Sequence, residues 1–162
     1  MVTINLAYTA PINPAGASPV LTESQVWTGL KRKVRRAYEF VPVIVACEVI
    51  SEEGNTVVRK ATFSTEGNPK ETSEPVREVC VHFPPSRVDF KQDDGSTISN
   101  IVSRGPEGEL LMTYAFEWRH DHIQEGSDEA TATREKYFKM AKMAVEGSIN
   151  TIRKFVQEGE IS

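Results

Sequence analysis

From Ile44 to His120 the chain is cut into short runs by turn residues, and this punctuation constrains its fold more than any other feature. The dividers are Glu53-Gly54-Asn55, Gly67-Asn68-Pro69, Pro84-Pro85, Asp93-Asp94-Gly95 and Gly105-Pro106-Glu107-Gly108. Glycine, proline and short polar side chains supply the backbone angles and local hydrogen bonds that reverse a chain. Between them lie Cys47–Ser51, Val57–Ser64, Val76–Phe83, Val88–Gln92, Ile98–Ser103 and Leu110–His120, six predicted strands. Hairpins in succession imply an antiparallel meander. Val2–Tyr8 alternates apolar with polar residues at period two and runs into Pro11 and Pro14, which makes a seventh strand.

Two helices frame the meander. Thr22 with Gln25 reads as a capping box, and Leu21 with Val26 as the hydrophobic staple around it. An apolar stripe through Val26, Leu30, Val34 and Ala37 or Tyr38 carries that helix to about Glu39, before Pro42 redirects the chain. The second helix starts near Ser127 or Asp128 and extends for roughly 28 residues. At 100° per residue it aligns Tyr137, Ala141, Ala144, Val145, Ser148, Ile152 and Phe155. Ala141, Ala144 and Ser148 thin the middle of this stripe, either to leave space under the sheet or to admit a large side chain from it. A sheet gripping one long helix commonly holds a pocket between the two, which directs the functional reading toward a small molecule.

The 162 residues are expected to form one domain, 1–162. A hydrophobic share of 39% beside a charged share of 26% does not fit a disordered chain. A net charge of -4 argues against nucleic acid as partner, because phosphate affinity accumulates from lysine and arginine. The longest apolar stretch, around Val41 to Ala46, is far short of the ~20 residues a membrane helix needs. The N-terminus lacks a signal-peptide pattern, so Cys47 and Cys80 are expected as free thiols in a cytoplasmic protein.

Parity sorts the last strand into two chemistries. Met112, Tyr114, Phe116, Trp118 and His120 share one face; Leu111, Thr113, Ala115, Glu117 and Arg119 share the other. Burying the aromatic face returns about 25 cal/mol per Å², which favours it for the concave side. Tyr114 and His120 could then orient or protonate a bound carbonyl, and Trp118 could stack on an aromatic ligand. Core packing is the competing account. In the same orientation Glu117 and Arg119 are a solvated pair, and with the parity reversed they become the acid/base pair.

Arg59 alternates with Val57, Ala61 and Phe63 and therefore points into a face that reads as buried. It is a candidate enolate or carboxylate stabiliser, against a structural salt bridge to Glu78 or Glu117. Cys80 and His82 point the same way with Cα atoms about 6.5 Å apart by strand rise, awkward for a direct hydrogen bond. His82 alone is a candidate general base, while Val79, Val81 and Phe83 look more like the core face of that strand. His120-Asp121-His122 has metal-ligand spacing but no signposted third ligand, so no metal is expected. The basic run Lys31-Arg32-Lys33-Val34-Arg35-Arg36 reads as a solvated helix face, with attraction for an acidic carrier protein, a phosphorylated substrate or an anionic membrane surface as the alternative. No phosphate loop, serine-nucleophile motif or CxxC pair is present.

The order strand, helix, six-stranded meander, long terminal helix resembles the START/Bet v 1-like (SRPBCC) superfamily over nearly the whole chain. Trp27-Thr-Gly-Leu30, Phe40-Val-Pro42, Ala46-Cys-Glu-Val49 and above all Tyr114-Ala-Phe-Glu-Trp-Arg-His120 resemble its AtaL-like branch. The resemblance implies an α+β helix-grip fold: a seven-stranded curved antiparallel sheet wrapped around the C-terminal helix, with a hydrophobic cavity between them. It also implies a setting in secondary metabolism, without a shared catalytic set to transfer.

Together these readings predict a cofactor-free cyclase, or related lyase or isomerase, acting on a polyketide-like or aromatic intermediate. Arg59, Tyr114, Glu117, His120 and His82 are the candidate catalytic residues, and Phe63, Phe116, Trp118, Tyr137, Ala141, Ala144 and Ser148 the candidate ligand wall. The alternatives are a non-catalytic carrier of a hydrophobic small molecule, or a homodimeric interaction module using the outer sheet face. Stable membrane insertion is not expected.

Overall fold

The computed structural model describes residues 1–64 and 74–162. Seven strands form one antiparallel sheet: β1 (Val2–Pro11), β2 (Ile44–Glu53), β3 (Thr56–Phe63), β4 (Val76–Phe83), β5 (Arg87–Gln92), β6 (Thr97–Arg104) and β7 (Leu110–His120). Their order is β1-β7-β6-β5-β4-β3-β2, so the meander runs in sequence and β1 closes against its last strand. The curved sheet and the long terminal helix make the expected helix-grip fold. The turn expected at Gly67-Asn68-Pro69 lies outside the described residues.

Helix α1 (Glu23–Arg35) begins at the expected capping box: Thr22 Oγ1 accepts from Gln25 N–H at 3.1 Å, and Gln25 Oε1 accepts from Thr22 N–H at 2.9 Å. It ends at Arg35, short of the expected Glu39, and passes into a 3₁₀ turn, Ala37–Glu39. Tightening at that point buries Ala37 and leaves Tyr38 exposed, which resolves the choice between them. Helix α2 (Asp128–Gln157) is capped by the Ser127 hydroxyl, which accepts from Ala130 N–H at 3.1 Å. Its buried stripe includes Tyr137, Ala141, Val145, Ser148, Ile149, Ile152 and Phe155.

Register carries the last strand's parity across the sheet. Val2 stands opposite His120, Ile4 opposite Trp118 and Leu6 opposite Phe116, so β1 and β7 turn their apolar sides the same way, under α2. Arg119 and Glu117 point to the outer face.

Strand β4 departs from the expectation. Glu78 and Cys80 are buried, whereas Phe83, expected in the core with Val79 and Val81, is 39% exposed. The reason lies one strand away, where Arg59, opposite Glu78, needs an anion inside the core.

Helix α1 packs on α2. Gly29 makes this possible, since a Cβ there would fall 2.5 Å from Ile152 Cγ1.

Candidate ligand-binding site

A cavity of about 480 Å³ lies between the sheet and α2. Tyr114, Phe116 and Trp118 of β7 form one wall, with Phe90 and Ile98 beside them. Tyr137, Met140, Ala141 and Ala144 of α2 face them, so the small residues at the helix centre do border open space. Phe63 and the connector Val41–Ile44 complete the lining. Pro42 and Met143 both line the cavity and reach solvent, which marks the mouth between that connector and α2.

The deep end is polar. Lys33 Nζ donates to Asn100 Oδ1 at 2.7 Å and to Tyr114 Oη at 3.1 Å, and it sits 4.2 Å from the centre of the Tyr114 ring. Lys33 is only 5% exposed. Burial pushes its amine down to about 7 from the usual 10.5, and the nearby Arg59 guanidinium pushes the same way against the opposing pull of Glu78. Burial likewise drives the Tyr114 hydroxyl above its ordinary value, offset in part by the Ser148 hydroxyl beside it. Ser148 Oγ itself stands outside hydrogen-bonding geometry and is a buried polar atom without a partner among the described residues.

Arg59 also borders the cavity, but most of its donors are committed. Nε and Nη2 donate to Glu78 Oε1 at 3.1 and 2.8 Å. Nη1 donates to the carbonyls of Lys33 and Val34 at 3.1 and 2.9 Å. Those two carbonyls belong to the last turn of α1, where helical partners run out. The arginine thus caps the helix from inside the core and fixes the backbone that carries Lys33. Burial works against its charge, but the Glu78 carboxylate outweighs that and holds the guanidinium above its usual range. Gln92 Nε2 donates to the other Glu78 oxygen at 3.1 Å, which anchors the pair from the far side.

The remaining candidates fall elsewhere. Glu117 lies on the outer face with Arg119, 3.5 Å away, because the aromatic parity of β7 turned inward. His120 is buried behind the lining, its Nε2 2.7 Å from the Tyr137 hydroxyl, so it meets the cavity only through Tyr137. His82 Nδ1 lies 2.9 Å from the Asn55 carbonyl, with the ring edge-on to Trp27 and away from the lining. Ser148 is buried beside Tyr114 and is not among the residues that line the cavity. Cys80 is sealed in the core, where burial holds its thiol up to about 12. Among the described residues no three histidine, cysteine or acidic side chains are grouped to hold a metal ion.

Sequence reasoning missed two residues of the polar end, Asn100, which no pattern singled out, and Lys33, which was grouped with the solvated basic run. For Lys33 the signal was present: Val26, Leu30 and Lys33 follow the 0, 4, 7 spacing of one helical face. Its neighbours do behave as surface cations, Arg32 and Arg36 pairing with Glu39 and Arg35 with Glu52.

A family model described as acetylaranotin biosynthesis cluster protein L, AtaL, matches residues 6–159. The chain belongs to the AtaL family. A curated AtaL-family relative, acetylaranotin biosynthesis cluster protein L of Aspergillus terreus, is 26% identical over 97% of this chain and 92% of its own length. Among solved structures, the di-domain ARO/CYC StfQ from the steffimycin biosynthetic pathway superposes with a TM-score of 0.67 at 15% identity, over 98% of this chain and 52% of StfQ. The chain therefore spans about half the length of that protein. The aromatase/cyclase Zhui, from a Streptomyces species, matches with a TM-score of 0.63 at 12% identity, over 99% of this chain and 98% of its own. These structural likenesses establish that this AtaL-family chain shares the aromatase/cyclase fold. No helix among the described residues is long and apolar enough to cross a membrane.

Proposed function

We propose that this AtaL-family protein is a cyclase, or related lyase or isomerase, that folds a polyketide-like or aromatic intermediate inside the cavity. The observation that carries the reading is the polar end of an otherwise apolar pocket, where Lys33, Tyr114 and Asn100 are hydrogen-bonded together. Aromatic walls from Phe116, Trp118 and Tyr137 would hold a flexible chain in one folded conformation, which removes much of the entropic cost of ring closure. An enolate forming at the deep end would meet the Arg59 charge and the N–H groups of Lys33, and Tyr114, kept protonated by its burial, would supply the proton. Glu117, His82 and His120 have no direct part in this scheme.

The likeness to aromatase/cyclases supports the reaction class by analogy of fold, and the lining supports it by chemistry. A decisive assay uses a short synthetic poly-β-ketone thioester, which cyclises slowly in buffer. Protein should accelerate cyclisation and change the product ratio, and Tyr114→Phe should remove at least about tenfold of that gain. Saturable binding with the buffer rate and buffer products would replace the enzyme by the carrier reading, which shares the cavity.

A further inference from the structure

We infer that the Lys33 amine captures a carbonyl carbon of the cavity ligand as a reversible imine, so that the site takes an aldehyde, ketone or β-diketone covalently. The inference rests on the cavity being a ligand site, and it holds whether the ligand turns over or is only carried.

Three features of the geometry support it. The amine borders an apolar cavity and is held by two neutral oxygens, Asn100 Oδ1 and Tyr114 Oη, instead of by a carboxylate. Both contacts use N–H groups as donors, so a neutral amine keeps its lone pair unclaimed. The one buried carboxylate near it among the described residues, Glu78, is occupied by Arg59 and Gln92, and Arg59 makes a second positive charge beside it unfavourable. A lysine wanted only as a structural cation would gain more from an ion pair.

The chemistry balances on the groups present. The Nζ lone pair forms the C–N bond while the carbonyl π pair moves to oxygen, which takes the Tyr114 proton. The attacked nitrogen returns one proton to the Tyr114 phenolate, leaving a neutral carbinolamine. Its hydroxyl then departs as water with the Tyr114 proton, the nitrogen lone pair forms C=N, and the nitrogen's remaining proton restores Tyr114. One carbonyl and one amine give one imine and one water, with no oxidant or cofactor.

Benzoylacetone, an apolar aromatic β-diketone, and cinnamaldehyde are suitable probes, the second with cyanoborohydride to trap the imine. Each should add to the peptide containing Lys33, with benzoylacetone giving the mass of the diketone less one water and a near-ultraviolet enaminone band. The rate should rise as pH passes through the neutral range and level off above it. Lys33→Met should abolish the adduct, and Tyr114→Phe, which keeps the amine but removes the proton relay, should slow adduct formation at least tenfold at saturating probe. Adducts confined to surface lysines such as Lys31 or Lys142, or no Lys33 adduct from either probe, would overturn the inference. So would competition by an aromatic carboxylate without any adduct, which would make Lys33 an anion holder. An adduct in a protein that fails to accelerate thioester cyclisation would leave the imine standing and remove the cyclase.

Discussion

Lys33 stands at a cost. A buried amine whose proton is lost near neutral pH binds fewer protons folded than unfolded, over the span from about 7 to its ordinary 10.5. Unfolding in that span takes up a proton, so stability should climb with pH, by at most about 1.4 kcal/mol per unit. Cys80 and Tyr114 oppose this at higher pH, because burial keeps both protonated after their unfolded counterparts ionise, Cys80 from near 9.0 upward. The informative window is therefore pH 7 to 9. Urea midpoints measured across it should rise for the natural protein and stay flatter for Lys33→Met, and parallel curves would show that Lys33 is not the group responsible. The residue was hidden in the sequence because a run of five cations around one valine reads as a solvated face. Only the heptad spacing from Val26 distinguishes Lys33 from Arg32 and Arg35. Arg59 was legible as buried from strand alternation, with Glu78 or Glu117 as its partner, and the fold selects Glu78. Their service to the end of α1 was not legible, since it depends on where a helix meets a strand far along the chain.

At the scale of elements, Gly29 decides how closely α1 approaches α2. Alanine in a helix interior is worth about 1 kcal/mol over glycine, but overpacking a tight interface costs about 1 to 3 kcal/mol. With Ile152 Cγ1 and Cδ1 at 2.5 and 2.6 Å from the added Cβ, overpacking should win. Gly29→Ala should lower stability by about 1 kcal/mol net and Gly29→Val by more. Pairing Gly29→Ala with Ile152→Ala should cost less than the sum of the two, as thermal unfolding of the three variants would reveal. Equal and additive losses would mean that the helices do not meet there. The caps, the strands and the length of α2 were all legible, because each is written in neighbouring residues. The early end of α1 was not, since the turn at Ala37–Glu39 answers to packing rather than to propensity. The face of β4 was read the wrong way for a related reason. Val79, Val81 and Phe83 are the more apolar set, yet the salt bridge needed by Arg59 brought Glu78 inside.

For the whole molecule, the cavity between sheet and helix is the property to test. It should bind anilinonaphthalenesulfonate saturably, one per chain, with the fluorescence gain of an apolar site. Ala144→Phe, placed on the lining at the centre of α2, should weaken that binding at least tenfold while leaving the far-ultraviolet spectrum and cooperative unfolding intact. Unchanged affinity would locate the dye outside the cavity. The sequence by itself determined the antiparallel meander, the helices that frame it, the division of β7 into an aromatic and a charged parity and the thin middle of α2, because these follow from local periodicity and turn chemistry; which parity of β7 turned inward was decided by packing against α2. Tertiary structure alone decided what chemistry faces the cavity. Lys33, Asn100 and Tyr114 meet across 67 and 81 residues of chain, and the desolvation that changes the amine exists only once all three are packed together.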